Sequence, residues 1–160
     1  METVLRERLC AEAEGEIVVF LIGMRINRLW KVWSWLPVAL AMPRMLRELQ
    51  GRPDLGLLGA RPYLGGRVLM VVQYWRSAEA LLAYAHARER EHLPAWRRFN
   101  RAVGTGGDVG IWHETYMVPA GAAEAIYVNM PPFGLGLVGT RRPAAGRRAS
   151  AAGRLGRDPA

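Results

Sequence analysis

The sequence predicts an α+β fold: a ferredoxin-like β-α-β-β-α-β antiparallel sheet with helices on one face. Three observations predict it. Four runs have strand character, Ile17–Met24, Leu55–Leu64, Arg67–Trp75 and Val109–Val118. Two runs, Leu36–Gln50 and Ala78–Arg90, have helical spacing. Their order is that of a split β-α-β pair. With 160 residues, 51% of them hydrophobic, the chain has material for one core. The expected division is a charged leader over 1–16, the ferredoxin-like domain over 17–137 and a disordered tail over 138–160.

Each element has a local reason. Met1–Glu16 is charged and reads as a leader, at most a short helix. Ile17–Met24 (IVVFLIGM) is β-branched and continuously apolar, as a strand buried on both faces is. Arg25–Trp35 is a tryptophan-rich connection. Over Leu36–Gln50, Leu36, Leu40, Met42, Met45, Leu46 and Leu49 recur at helical spacing, and Pro43 predicts a kink or a split. Leu55–Leu64 is a strand weakened by Gly56 and Gly59. Gly65-Gly66 before RVLMVVQYW signals a hairpin. Ser77 is the expected N-cap of Ala78–Arg90, with Leu81, Leu82 and Ala85 inward. Pro94 suits the first position of a further turn, Pro94–Arg101. Gly104–Asp108 is a loop, Val109–Val118 the last clear strand, Ala122–Tyr127 a short helix, and Asn129–Leu137 irregular. Because Ile17–Met24 and Val68–Trp75 are apolar on both faces, the sheet face away from the helices needs cover. A second copy of the sheet supplies it most simply, in an isologous homodimer.

Charge and cysteine content narrow the class. The formal charge is +8, but Gly139–Ala160 holds six arginines and one acid, which leaves +3 for the remainder. An Arg/Ala/Gly/Pro tail carries most of the basicity, and such a composition buries little apolar area. A nucleic-acid partner is therefore not expected. Cys10 is the single cysteine, which excludes an intramolecular disulfide and fits a reducing compartment. Ile17–Met24 is too short to span a bilayer, and Leu29–Leu46 is interrupted by Lys31, Pro37, Pro43 and Arg44. The expectation is a cytoplasmic chain with no membrane partner.

The residues able to carry chemistry cluster. Asp108–Val118 (DVGIWHETYMV) places Trp112, Glu114 and Tyr116 on one strand face and Ile111, His113, Thr115 and Met117 on the other. His92, Trp96 and Phe99 fall on one face of a helical turn. Arg25 and Arg28 flank Asn27 just after the first strand, where guanidiniums and an amide can hold a carboxylate or enolate oxygen. Trp30 and Trp33 lie one helical turn apart and read as hydrophobic cover. The histidines, 86, 92 and 113, form no metal-ligand spacing. The sequence has no phosphate loop, dinucleotide fingerprint or nucleophile elbow.

The segments GMRINRLW, YWRS, HLPAWRRFN and GIWHETYMVPAG, followed by EAIYVNMPPFGL, carry a resemblance. Over Ile17–Leu137 the chain resembles a monooxygenase-like family of the dimeric α+β barrel superfamily. That family stands alongside the antibiotic-biosynthesis monooxygenases, and its subgroup contains a monooxygenase of a fungal fumagillin pathway. The resemblance implies a ferredoxin-like dimer and oxygenation of a small hydrophobic substrate (phenolic, polyketide-like or terpenoid) without metal or flavin. It supplies no secure catalytic motif, so the site is inferred from this chain's own residues. His92 or His113 is the candidate base, since histidine titrates near neutrality. Tyr116 and Arg25 are placed to stabilise an oxyanion. Trp96 and Trp112 wall the ring, Asn27 helps hold the substrate, and Glu114 orients a histidine. Two alternatives stay open: a haem-binding barrel enzyme like the aldoxime dehydratases, with His113 or His92 as ligand, and a non-catalytic small-molecule-binding dimer. The face of Val109–Val118 that lies under the helices decides between His113 and the Glu114/Tyr116 pair.

Overall fold

In the computed structural model, residues 3–91, 103–104 and 106–157 are described. The chain forms two compact units, Val18–Tyr116 and a second made of Met1–Ile17 with Met117–Ala160.

The larger unit is the predicted α+β sheet. Its strands are β2 (Ile17–Ile26), β3 (Leu57–Gly65), β4 (Val68–Trp75) and β5 (Val109–Val118), in the order β3-β4-β2-β5. Helices α1 (Val32–Gln50) and α2 (Ala78–Glu91) lie between them in sequence. This is the antiparallel ferredoxin-like arrangement, and no closed barrel forms among the described residues. The β3–β4 hairpin turns at Gly66, whose φ of 58° is where glycine is favoured. Ser77 caps α2, its Oγ accepting the Ala80 N–H at 3.2 Å.

Two apolar clusters sit between the sheet and α1. Val18 and Trp75 from the sheet meet Met45 and Leu49 of α1 and Leu81 and Tyr84 of α2. At the other end of α1, Val38 packs with Met24, Ile26 and Val109. These contacts span the length of α1, and the helix continues through both Pro37 and Pro43. The split expected at Pro43 is not found: packing on both halves outweighs the lost backbone bond. In α2 Leu81 turns inward as expected, but Leu82 and Ala85 are exposed and Tyr84 is buried in their place. Spacing of i, i+3 selects Leu81 and Tyr84 for one face.

The second unit corrects the expectations for both ends of the chain. Leu5–Glu12 is a strand (β1), the centre of a three-stranded sheet with β6 (Ile126–Met130) and β7 (Thr140–Pro143) on either side. Leu9 pairs with Tyr127 on one side and Pro143 on the other. The run 1–16 is thus not merely a leader, and the short helix expected over Ala122–Tyr127 is replaced by β6. Nor is the tail disordered over its described part. β7 is followed by a 3-10 turn (Gly146–Ala149) and a helical turn (Ala151–Arg154), capped by Ser150 Oγ on the Gly153 N–H at 2.9 Å. The arginines explain the difference from composition. Arg148 and Arg142 both pair with Glu12, and Arg154 pairs with Glu124 at 2.7 Å. Arg8 donates to the carbonyls of Ala144 and Ala149 at 3.3 and 3.0 Å. Cys10 is fully buried in this unit, its Sγ 3.4 Å from the Arg142 carbonyl oxygen.

No helix among the described residues is long and apolar enough to cross a membrane.

Candidate active site

Strand parity in the larger unit assigns each candidate to a face. Val18, Met24, Ile26, Trp75 and Val109 belong to the clusters under the helices. Alternation along β5 then places Val109, Ile111, His113 and Thr115 on the helix-covered side, and Gly110, Trp112, Glu114 and Tyr116 on the other. Contacts agree. The His113 ring lies 5.7 Å from the Phe20 ring, and Phe20 packs against the helix-side cluster. A Cβ placed on Gly23, of opposite parity in β2, would stand 2.7 Å from Trp112 Nε1. His113 thus lies on the helix side of the sheet, where its own side chain is exposed.

On the opposite face, the Tyr116 hydroxyl donates to Glu114 Oε2 at 2.5 Å. That hydrogen bond, reinforced by the carboxylate's charge, raises the phenol above its ordinary pKa. Tyr116 is half exposed. As the pair stands, the phenol holds its proton toward Glu114 and Glu114 is directed at Tyr116. His113, on the other face, is outside the reach of the orienting role foreseen for Glu114.

Arg25 and Asn27 end β2. Arg25 shares the face of Trp112, its Cβ close to the site of a Cβ on Gly110. Its guanidinium donates to Asn27 Oδ1, and Asn27 Nδ2 donates to the Gly107 carbonyl at 3.0 Å. Arg28 and Lys31 both bind Asp108, at 2.8 and 2.9 Å. The Lys31 hydrogen bond first, then the charges of Lys31 and Arg28, hold the Asp108 carboxyl below its ordinary pKa. This network clamps the end of β2 to the start of β5, where the Asn27 N–H also donates to the Asp108 carbonyl at 2.9 Å. Asn27 is committed to that clamp, while Arg25 remains exposed beside Trp112. His92 and Trp96 lie outside the described residues, as does the expected turn Pro94–Arg101.

One polar residue on the helix-covered face was not foreseen. Gln73 of β4 is 1% exposed. Its Oε1 accepts the Trp75 indole N–H at 2.9 Å, while its Nε2 has no hydrogen-bond partner among the described residues. Gln73 pairs in register with Phe20, whose ring meets His113. Gln73, Phe20 and His113 therefore share one face across adjacent strands. The available signal was a lone amide in the apolar run RVLMVVQYW, at the same parity as Val71 and Trp75.

Among the described residues no group of three or more His, Cys, Asp or Glu side chains converges as a metal site. A shallow apolar cleft in the smaller unit, lined by Leu5, Leu9, Tyr127, Met130 and Phe133 with Arg141, contains none of the predicted site residues.

Residues 17–135 match the model of the family described as Monooxygenase af470-like. The chain is also similar to a protein named Monooxygenase af470 from Aspergillus fumigatus, 29% identical over 140 residues, covering 77% of this chain and 46% of the relative. The chain thus spans less than half of that relative's length. The family match runs from the first residue of β2, through β5 and β6, to Leu135, and so takes in both faces of the candidate site. The chain belongs to the Monooxygenase af470-like family.

Proposed function

We propose that this chain is a monooxygenase that oxidises a small hydrophobic substrate (phenolic, polyketide-like or terpenoid) with dioxygen, using neither metal nor flavin. The observation that carries the reading is His113 on the helix-covered face against Phe20, within a chain of a monooxygenase family. Cofactor-free oxygenation needs a substrate C–H or O–H acidic enough to be deprotonated, and an anion electron-rich enough to reduce dioxygen. His113 is the base. Phe20 offers an aromatic wall to a flat substrate beside the exposed imidazole. For a CH2 group the reaction balances as CH2 + O2 giving C=O + H2O: one oxygen atom enters the product, the other leaves as water, and the substrate supplies all four electrons.

A homodimer in the cytoplasm is part of the same proposal. It is supported by the apolar residues on the sheet face away from the helices, Val19, Leu21, Met70 and Val72, and by the lack of any cysteine pair. Light scattering at micromolar concentration tests the mass.

The activity is tested first by an absorption spectrum of the purified protein, before and after adding haem, and then by oxygen consumption on phenolic and terpenoid substrates. The expected result is no Soret band, oxygen uptake stoichiometric with product, and a loss of about 10²–10⁴-fold in kcat for His113→Ala. A Soret band that shifts in His113→Ala would replace this reading with a haem enzyme. Ligand-induced thermal stabilisation without oxygen uptake would leave a binding dimer.

A further inference from the structure

Helix α1 is apolar on two sides. Val38, Met45, Leu46 and Leu49 are buried. At 3.6 residues per turn, Trp33, Leu36, Leu40, Arg44 and Arg47 fall on the opposite side. That side is open: Trp33 is 72% exposed, Trp30 just before the helix 68%, and Leu36 and Leu40 are exposed as well. The contrast with Trp35 is local. It packs beside the Val38 cluster and donates its indole N–H to the Leu29 carbonyl at 3.0 Å. Trp30 and Trp33, expected from the sequence to act as hydrophobic cover, are mostly exposed. A contiguous apolar patch of this kind marks an interaction site.

Charge selects the partner. From Asn27 to Arg47 the chain carries Arg28, Lys31, Arg44 and Arg47, and the first acidic residue beyond them is the exposed Glu48. Arg28 and Lys31 are turned to Asp108, whereas Arg44 and Arg47 are exposed on the same side of α1 as Trp33 and Leu40. The exposed side is thus apolar and aromatic over its first turns and cationic beyond them. An isologous contact with a second copy would set this side against itself, and its positions Trp33, Leu36, Leu40, Arg44 and Arg47 hold no carboxylate to meet the arginines. An anionic lipid surface matches both parts. Tryptophan favours the headgroup level, where its ring is buried and its N–H stays wet, and arginines meet the lipid phosphates.

We propose that the outer side of α1, with Trp30, docks this protein on an anionic membrane surface. The helix lies in the plane of the interface and does not span it. This revises the expectation of no membrane partner, and it is independent of the proposed activity.

The test is flotation of the full chain with vesicles of phosphatidylcholine alone and of phosphatidylcholine with phosphatidylserine, at low and high salt. Tryptophan emission is followed in parallel. The expected result is partition onto the anionic vesicles, with a blue shift, weakened by salt. Trp30→Ser with Trp33→Ser should lower the partition coefficient on the order of tenfold for each tryptophan removed. Arg44→Glu with Arg47→Glu should abolish the preference for phosphatidylserine. All four positions are exposed, so circular dichroism should be unchanged. Failure of the wild-type chain to float with anionic vesicles overturns the proposal, as does equal flotation of the tryptophan variant. A wild-type dimer that becomes monomeric in the tryptophan variant, without vesicle binding, would assign the patch to a second copy instead.

Discussion

Replacing Gln73 by leucine should leave the fold nearly as stable as before, although it removes a fully buried polar side chain. Two opposite effects cancel. Loss of Oε1 strips the Trp75 indole N–H of its acceptor, now 2.9 Å away. A buried donor left in that state costs about 1–3 kcal/mol. Loss of Nε2 removes a buried donor that already lacks a partner among the described residues, and relieves a cost of the same kind. The net change is expected within about 1 kcal/mol. Trp75→Phe behaves differently. It leaves both ends of the Gln73 amide without a partner among the described residues and opens a void beside Tyr84, whose ring lies 5.6 Å from the indole. The expected loss is about 2–4 kcal/mol, from the void and the unpaired carbonyl together. The two positions are therefore coupled. The double variant should be more stable than the sum of the single changes by about 1–2 kcal/mol, the size typical of residues that share a hydrogen bond. Equilibrium urea denaturation of the four proteins gives the cycle, with m unchanged if the denatured state is unaffected. A loss above about 2 kcal/mol in Gln73→Leu alone would refute the reasoning, because it would mean that Nε2 is hydrogen-bonded in the folded protein.

Two further outcomes follow from the same geometry. Gly23→Ala places a Cβ 2.7 Å from Trp112 Nε1 and 2.9 Å from the Leu69 carbonyl oxygen. It should cost about 1–3 kcal/mol, or about 2–12 °C in Tm, whereas Gly65→Ala, which meets nothing within 4 Å, should change stability by less than about 0.5 kcal/mol in the same calorimetric scan. Asp108→Asn should destabilise at neutral pH. Because the folded pKa of Asp108 is depressed, its ion pairs contribute fully above the unfolded value of about 3.9 and the contribution is lost as pH falls through the folded value. Urea midpoints of wild type and variant should differ at pH 7 and converge at strongly acid pH, and a gap that persists in acid would discount the Lys31 and Arg28 pairs.

The legible part of this molecule is the part with local signals. β5 coincides with Val109–Val118 because β-branched and aromatic residues alternate there between a glycine loop and Pro119. Ser77 announced its helix because an N-cap hydroxyl needs only the next three residues. β1 was missed because its periodicity is broken. Its pairing with β6 shifts register between Leu5 and Arg8, and Leu9, Cys10 and Ala11 are all buried in succession. β6 was missed because an alanine-rich approach favours helix locally, while its strand state depends on pairing with residues more than a hundred positions earlier.

By itself the sequence determined the α+β class, the order of the four main strands, and the small set of side chains able to do chemistry. Each depends on residue type and spacing along a short stretch. Only the tertiary structure decided which of those side chains meet. It put His113 on the helix-covered face with Phe20 and Gln73, turned Glu114 and Tyr116 to the other face, and committed Asn27 to the clamp between β2 and β5. It also left Trp30 and Trp33 in solvent. A strand's alternation says that neighbours lie on opposite faces, but not which face is which. That assignment comes from helices packed across the sheet, through contacts between residues far apart in the chain.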